Sequence, residues 1–195
     1  NYIQLPNGAT QHLRFDSQGR RLQNTLDGMD RMRVERQTST QEKILDARGL
    51  TTIVQFDSAQ ARRPIKIIHP DGSTETFAYD GIYNRQTRHV NALGVVTTWT
   101  YDPKGNVLSW VEAQGKPEQR TTTYTYTGGC SSCGGAAGLV STITTPDNKT
   151  TSFTYDANGN RLTATDPMNR TTTYAYNSMD RPTTVTLPDS RTMSY

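Results

Sequence analysis

An aromatic–acidic pair returns along the whole of this chain: Phe15-Asp16, Phe56-Asp57, Tyr79-Asp80, Tyr101-Asp102 and Tyr155-Asp156. Weaker copies stand at Val34-Glu35, Tyr126-Thr127 and Tyr176-Asn177, and Tyr195 holds the place of another. The intervals run from 19 to 29 residues. A chain written this way is a linear array of one small unit, and that constraint comes before any argument about a single packed domain. It also weighs against an enzyme, because a catalytic site is made of residues that occur once.

Each unit reads as two strands. Two positions before every anchor stands an apolar residue: Leu13, Met32, Val54, Phe77, Trp99, Tyr124, Phe153, Tyr174 and Met193. Between and beside them fall Thr98, Thr100, Thr123, Thr125, Ser152, Thr154 and Thr173. Alternation with period two sets the apolar residues on one sheet face and the hydroxyls on the other. A turn follows the anchor in Asp16-Ser17-Gln18-Gly19, Asp102-Pro103-Lys104-Gly105 and Asp156-Ala157-Asn158-Gly159. There Asp accepts backbone N–H groups and Gly supplies the left-handed conformation. The second strand carries Leu22, Leu108 or Leu162, and a second turn closes the unit at Pro6-Asn7-Gly8, Pro70-Asp71-Gly72, Pro146-Asp147-Asn148, Pro167-Met168-Asn169 or Pro188-Asp189-Ser190.

Two stretches depart from this plan. Residues 37–48 lack clear alternation and read as a helical turn or an irregular strand. Residues 128–138 are a Gly-rich insertion that stretches one interval to 29 residues. No linker is visible elsewhere, so residues 1–195 read as one array without a domain boundary.

Composition agrees with an ordered but thinly cored β protein. Hydrophobic residues make up 32% of the chain, and mean hydropathy is −0.75. Such polarity suits a disordered chain when it comes from Pro, Glu, Ser and Lys. Here it comes largely from Thr, set among Tyr, Phe and Trp, all strand-forming types. The net charge of +3 is dispersed, and even the densest basic stretch, Arg31, Arg33 and Arg36, contains Asp30 and Glu35. That is a solvated face and gives no nucleic-acid footprint. No apolar run approaches the roughly 20 residues that span a bilayer. The chain starts and stops in mid-repeat, as expected of a piece of a longer protein, so the missing leader does not bear on compartment.

On these residues the chain resembles the RHS/YD-repeat family, whose unit reads roughly G-x-x-x-x-Y-x-Y-D-x-x-G-R-L-x-x-x-x-x-P-D-G. The clearest copy runs from Thr151 through Tyr155-Asp156 and Gly159 to Arg161-Leu162, followed by Asp166-Pro167. The family comprises bacterial polymorphic toxins, insecticidal toxin-complex subunits and cell-surface proteins, with animal teneurins as relatives. The resemblance implies an all-β array of eight to nine antiparallel hairpin repeats in a continuous, spiralling sheet. It also implies a wall that encloses or displays a toxin or effector domain, secreted or on the bacterial surface. The partners implied are the rest of the parent polypeptide and its attached domain, with glycans as the alternative ligand. Unpaired strand edges would add self-association. The family's autoproteolytic Asp-Pro-x-Gly-Leu-type motif is matched only in part by Asp102-Pro103-Lys104-Gly105, since Asn106 replaces the Leu.

Few residues remain for chemistry. Cys130 and Cys133, in a Gly-rich frame, could close a local disulfide, which fits an exported protein. Alternatively they could supply two of zinc's four ligands, with His12, His69, His89, carboxylates or another chain completing the set. No other cofactor is expected. Asp156, Asn158 and Asn160 begin like a calcium loop, but Arg161 and Pro167 occupy positions where that loop needs Gly and a bidentate Glu. The aromatic residues on one face read as packing, with sugar stacking as the functional alternative. Trp110, outside the expected ladder, is the candidate for a carbohydrate contact.

Overall fold

The computed structural model of the chain describes residues 2–26, 29–58, 61–81, 83–127 and 138–195. The cysteine pair and most of the Gly-rich insertion lie outside these. The described residues form strands and turns, with no helix, as the period-two pattern requires. They divide into two compact units, Asn1–Asp80 with Arg88–Val96, and Gly81–Thr87 with Thr97–Tyr195.

The first unit contains β1 (Tyr2–Gln4), β2 (Thr10–Phe15), β3 (Arg21–Leu26), β4 (Met29–Thr38), β5 (Gln41–Asp46), β6 (Thr51–Phe56), β7 (Pro64–Ile68) and β8 (Thr74–Tyr79). Strand β9 (Gln86–Val90) falls at the division. The second contains β10 (Val96–Tyr101), β11 (Val107–Glu112), β12 (Arg120–Tyr126), β13 (Val140–Thr144), β14 (Thr150–Tyr155), β15 (Arg161–Thr165), β16 (Thr171–Tyr176), β17 (Pro182–Thr186) and β18 (Thr192–Ser194). Within each unit, β1 to β8 and β10 to β18 pair antiparallel in chain order.

Both kinds of turn follow one plan. The fourth residue donates its N–H to the carbonyl of the first and takes positive φ, as at Gly19, Gly105 and Gly159 after the anchors and at Gly8 and Gly72 in the other series. Where Gly is missing, Asn148, Asn169, Asp180 and Ser190 adopt φ of 58° to 67°. A type I turn closed by a left-handed residue has the twist that suits a hairpin.

Six aromatic anchors share a second device. The register shifts by one residue beside Phe15, Phe56, Tyr101, Tyr126, Tyr155 and Tyr176. The partner strand carries the extra residue, which is Leu22, Ile65, Leu108, Ser141, Leu162 or Thr183. A bulge raises local twist and re-aims the flanking side chains. Leu108 and Leu162 are accordingly 40% and 38% exposed. Both lie on the second strand of their hairpin, as the sequence places them, and are its bulged residues.

Four anchors then clasp the neighbouring strand through the phenol. Tyr79 Oη donates to the carbonyl of Pro64 at 2.9 Å, Tyr101 to Gln86 at 2.6 Å, Tyr126 to Val107 at 2.8 Å and Tyr155 to Val140 at 2.9 Å. Each acceptor is at or near the start of the strand preceding the tyrosine's own. In β7–β8, β11–β12 and β13–β14 the bond therefore closes the open end of the hairpin, opposite its turn.

One expectation changes in the first unit, and one open alternative is decided. Val34-Glu35 does not end a strand: β4 runs through it, with Val34 opposite Ile44 and Glu35 opposite Lys43. Of the two readings of residues 37–48 the irregular strand holds: the register shifts between Arg36 and Thr38, and β4 and β5 meet in a tight hairpin at Ser39-Thr40. The apolar positions from Leu13 to Tyr174 are half-buried, and Met193 is exposed. Among the described residues only Ala113 is a buried hydrophobe, still 8% exposed, so no second layer covers the ladder.

Removing one clasp measures what it contributes. Tyr155→Phe should cost about 1 kcal/mol, the net worth of one hydrogen bond, read as a lower denaturant midpoint with an unchanged slope. Tyr174→Phe, whose ring is in the ladder and outside the clasps, should change the midpoint little.

Candidate functional site

The recurrent acidic residues are spent on the turns that carry them. Asp156 Oδ1 accepts the N–H groups of Asn158 at 2.9 Å and Asn160 at 2.8 Å, while Oδ2 takes the Asn160 amide at 2.9 Å. Asp102 repeats this with Lys104 and Asn106, and Asp16 with Gln18 and Arg20. Asp46 does the same for Arg48 and Leu50, a turn hidden from the sequence pattern because Leu45 replaces the aromatic. In the other series Asp166, before the proline, is the acceptor, from Met168 and Arg170.

These bonds set the acidity. At Asp16 burial raises the pKa, but hydrogen bonds from the Arg20 N–H and guanidinium and the Gln18 N–H outweigh it, lowering the pKa from 3.8 to about 2. Side-chain hydrogen bonds from Asn106, Asn160 and Arg170 lower Asp102, Asp156 and Asp166. A depressed carboxyl contributes stability above its unfolded pKa and loses it as pH falls through the folded one. Thermal stability should therefore stay level down to about pH 4 and then decline towards pH 2. Melting temperatures recorded across that range check it, and Asp16→Asn should flatten the decline.

The turn reading of Asp102-Pro103-Lys104-Gly105 and of Asp156-Ala157-Asn158-Gly159 is thus what the geometry gives. Asp180, from the following repeat, joins the second turn by accepting from the amides of Asn158 at 2.9 Å and Asn160 at 2.7 Å. No group of three or more His, Cys, Asp or Glu among the described residues is arranged to hold a metal ion. Cys130 and Cys133, the disulfide or zinc candidates, lie outside the described residues.

Trp110 is inside the ladder, contrary to the expected position. It sits directly opposite Trp99 in β10 and Thr122 in β12, and is half-buried. Its indole Nε1 is out of contact with water and has no hydrogen-bond partner among the described residues. Arg161 lies over two further ladder rings, 5.3 Å from the Phe153 centroid and 5.7 Å from Tyr174. A platform for sugar stacking needs open ring faces, and these are paired or partly covered. Trp110→Ala should lower stability by about 1–2 kcal/mol. Trp110→Phe should be neutral or stabilising, since it removes the orphan donor. Chemical denaturation of both variants tests this.

Three contacts are absent from the sequence reading. His69 and His89 place Nε2 at 2.8 and 2.7 Å from separate oxygens of Glu75, and His89 stacks on Phe77 at 4.7 Å. Hydrogen bonds from His89 and His69 lower the Glu75 pKa. These two histidines share one carboxylate. His12 is exposed. In the first unit, Arg36 bridges Asp16 at 3.3 Å and Glu42 at 3.0 Å, and Arg62 joins Glu42 while covering the Phe56 ring at 4.2 Å. This ion network stands where the anchors are Phe and no phenol is available. In the second unit a groove of about 520 Å³ is lined by Asp166, Arg170, Asp189 and Arg191. Its charges are already paired, Asp166 with Arg170 and Asp189 with Arg191, each at 2.6 Å.

The RHS repeat family matches residues 136–167 and again 155–192. Solved structures with similar chains include the Tc holotoxin pore of Photorhabdus luminescens, at 12% identity and TM-score 0.45, covering 96% of this chain and 14% of that one. A TcdB2–TccC3 complex without its hypervariable C-terminal region gives 15% identity and TM-score 0.49, with coverage of 92% and 12%. A porin-like protein from Bacteroides uniformis gives 14% identity and TM-score 0.38, with coverage of 89% and 86%. The chain thus spans about an eighth to a seventh of the toxin-complex chains it resembles. No curated protein sequence matches it significantly. No helix among the described residues is long and apolar enough to cross a membrane. The family match covers the C-terminal repeats, residues 136–192, and the same turns, bulges and phenol clasps recur upstream of them.

Proposed function

We propose that the chain is a structural wall segment of an exported RHS-type protein, and that it encloses or displays a toxin or effector domain carried elsewhere in the parent polypeptide. The observation that carries this reading is how the recurring residues are used. Asp16, Asp102 and Asp156 hold turns, and Tyr79, Tyr101, Tyr126 and Tyr155 clasp strands. What repeats is the means of continuing the sheet, which is the economy of a repeat scaffold. The chain performs no catalysis in this reading. Its partners are the flanking repeats and the attached domain, and its location is outside the cell or on its surface. Strand edges left unpaired join it to the rest of the parent or to another copy. A carbohydrate-binding surface module is less well supported, because Trp110 and the Arg161-covered rings take part in packing.

The test uses the parent polypeptide with its attached domain. With the array present, the domain should resist limited proteolysis; with residues 1–195 deleted, it should be digested. Equal digestion in both forms would overturn an enclosing wall. Glycan binding by a stable monomer of this chain, lost in Trp110→Ala without loss of thermal stability, would favour the carbohydrate module instead.

A further inference from the structure

The chain contains two Asn-Gly steps, Asn7-Gly8 and Asn158-Gly159, both in turns. At such a step the backbone nitrogen of Gly can attack the Asn carboxamide, because Gly carries no Cβ to obstruct the approach. We propose that Asn158-Gly159 is a site of spontaneous deamidation, and that the reaction weakens the side-chain link between two successive repeat turns.

The chemistry needs only water. The Gly159 nitrogen bonds to Cγ of Asn158, the Cγ–Nδ2 bond breaks, and the amide nitrogen leaves as ammonia with the proton that Gly159 loses. Water then opens the five-membered succinimide at one of its two carbonyls, giving aspartate or isoaspartate. Two features of this turn favour the step. Asn158 is exposed. The Gly159 N–H is held by the Asp156 carbonyl at 3.2 Å, the longest bond of its kind among the anchor turns, whereas Gly8 is held at 2.9 Å.

The consequence follows from what Asn158 touches. Its Nδ2 donates to Asp180 Oδ1 at 2.9 Å, and Asn160 Nδ2 bridges the same oxygen and Asp156 Oδ2 at 2.7 and 2.9 Å. Deamidation replaces the Asn158 donor by a carboxylate oxygen facing the Asp180 carboxylate. An attractive contact between neighbouring turns becomes a like-charge one, and Asp156 adds a third carboxylate to the group. Only the Asn160 amide then holds Asp180 to this turn. The isoaspartate product also lengthens the backbone inside a turn whose geometry depends on Gly159 at φ 92°.

The folded protein is incubated at mildly alkaline pH and sampled by peptide mass mapping, with isoaspartate methylation as the second readout. A parallel sample is kept in denaturant. The expected result is conversion of Asn158 in the folded protein at a rate within severalfold of the denatured one, and faster than Asn7. Conversion of Asn158 in denaturant alone would overturn the site, since the turn would then protect it. The consequence is tested separately: Asn158→Asp should lower the melting temperature by several degrees, and adding Asp180→Asn should restore most of the loss. An Asn158→Asp variant as stable as the parent, or no rescue by Asp180→Asn, would overturn the link.

Discussion

A single-layer sheet has to be held together in its own plane, and that constraint governs this molecule. Among the described residues no large side chain is fully buried, so the packing that stabilises an ordinary domain is thin here. What remains is the backbone ladder and the devices that keep it in register. The Asp turn fixes one end of a hairpin by saturating backbone N–H groups that would otherwise face water. The bulge beside the anchor then turns the aromatic ring back over the preceding strand. At four anchors the phenol reaches a carbonyl there. Each unit thereby leaves a prepared edge for the next, which makes an array the economical outcome.

Tyrosine and phenylalanine anchors solve the problem with different chemistry. At Tyr79, Tyr126 and Tyr155 one neutral hydrogen bond closes the hairpin. Phe15 and Phe56 have no hydroxyl, and near them Arg20, Arg36 and Arg62 interleave with Asp16 and Glu42. Arg36 and Glu42 are 19% and 12% exposed, so that network is partly desolvated and each charge depends on its neighbours. The opposite face of the second unit is built from paired hydroxyls. Thr125 meets Thr142 at 2.7 Å, Thr154 meets Thr163 at 2.7 Å, and Thr165 meets Thr171 at 2.8 Å. That face is satisfied without carrying a charge, which explains how so polar a sequence stays ordered.

Period and turn chemistry were legible in the sequence because both are local. Alternation around Trp99 and Phe153, and Asp with Gly three residues on, can be read within a few positions. What escaped depends on register. Trp110 seemed to lie outside the ladder, yet a hairpin folded about the Asp102 turn brings position 99 opposite 110 and 100 opposite 109. The bulges at Leu108 and Leu162 depend in the same way on how each strand pairs with its neighbour. Val34-Glu35 imitated an anchor, but no turn-forming sequence follows it, so β4 continued. The tyrosine clasp spans 15 to 19 residues, and the sharing of Glu75 by His69 and His89 spans up to 14. Neither leaves a mark shorter than the hairpins that create it.

Site-resolved amide hydrogen exchange tests most directly whether turns and clasps hold the repeats. The account predicts that the N–H groups of Asn106 and Asn160, donated to Asp102 and Asp156, exchange almost as slowly as strand amides of the same hairpins. In Tyr155→Phe, protection should fall first at the β13–β14 hairpin and its neighbours. Fast exchange at the turn amides beside fully protected strands would contradict it, as would a Tyr155→Phe pattern identical to the parent's, because the sheet would then be held by something other than these devices.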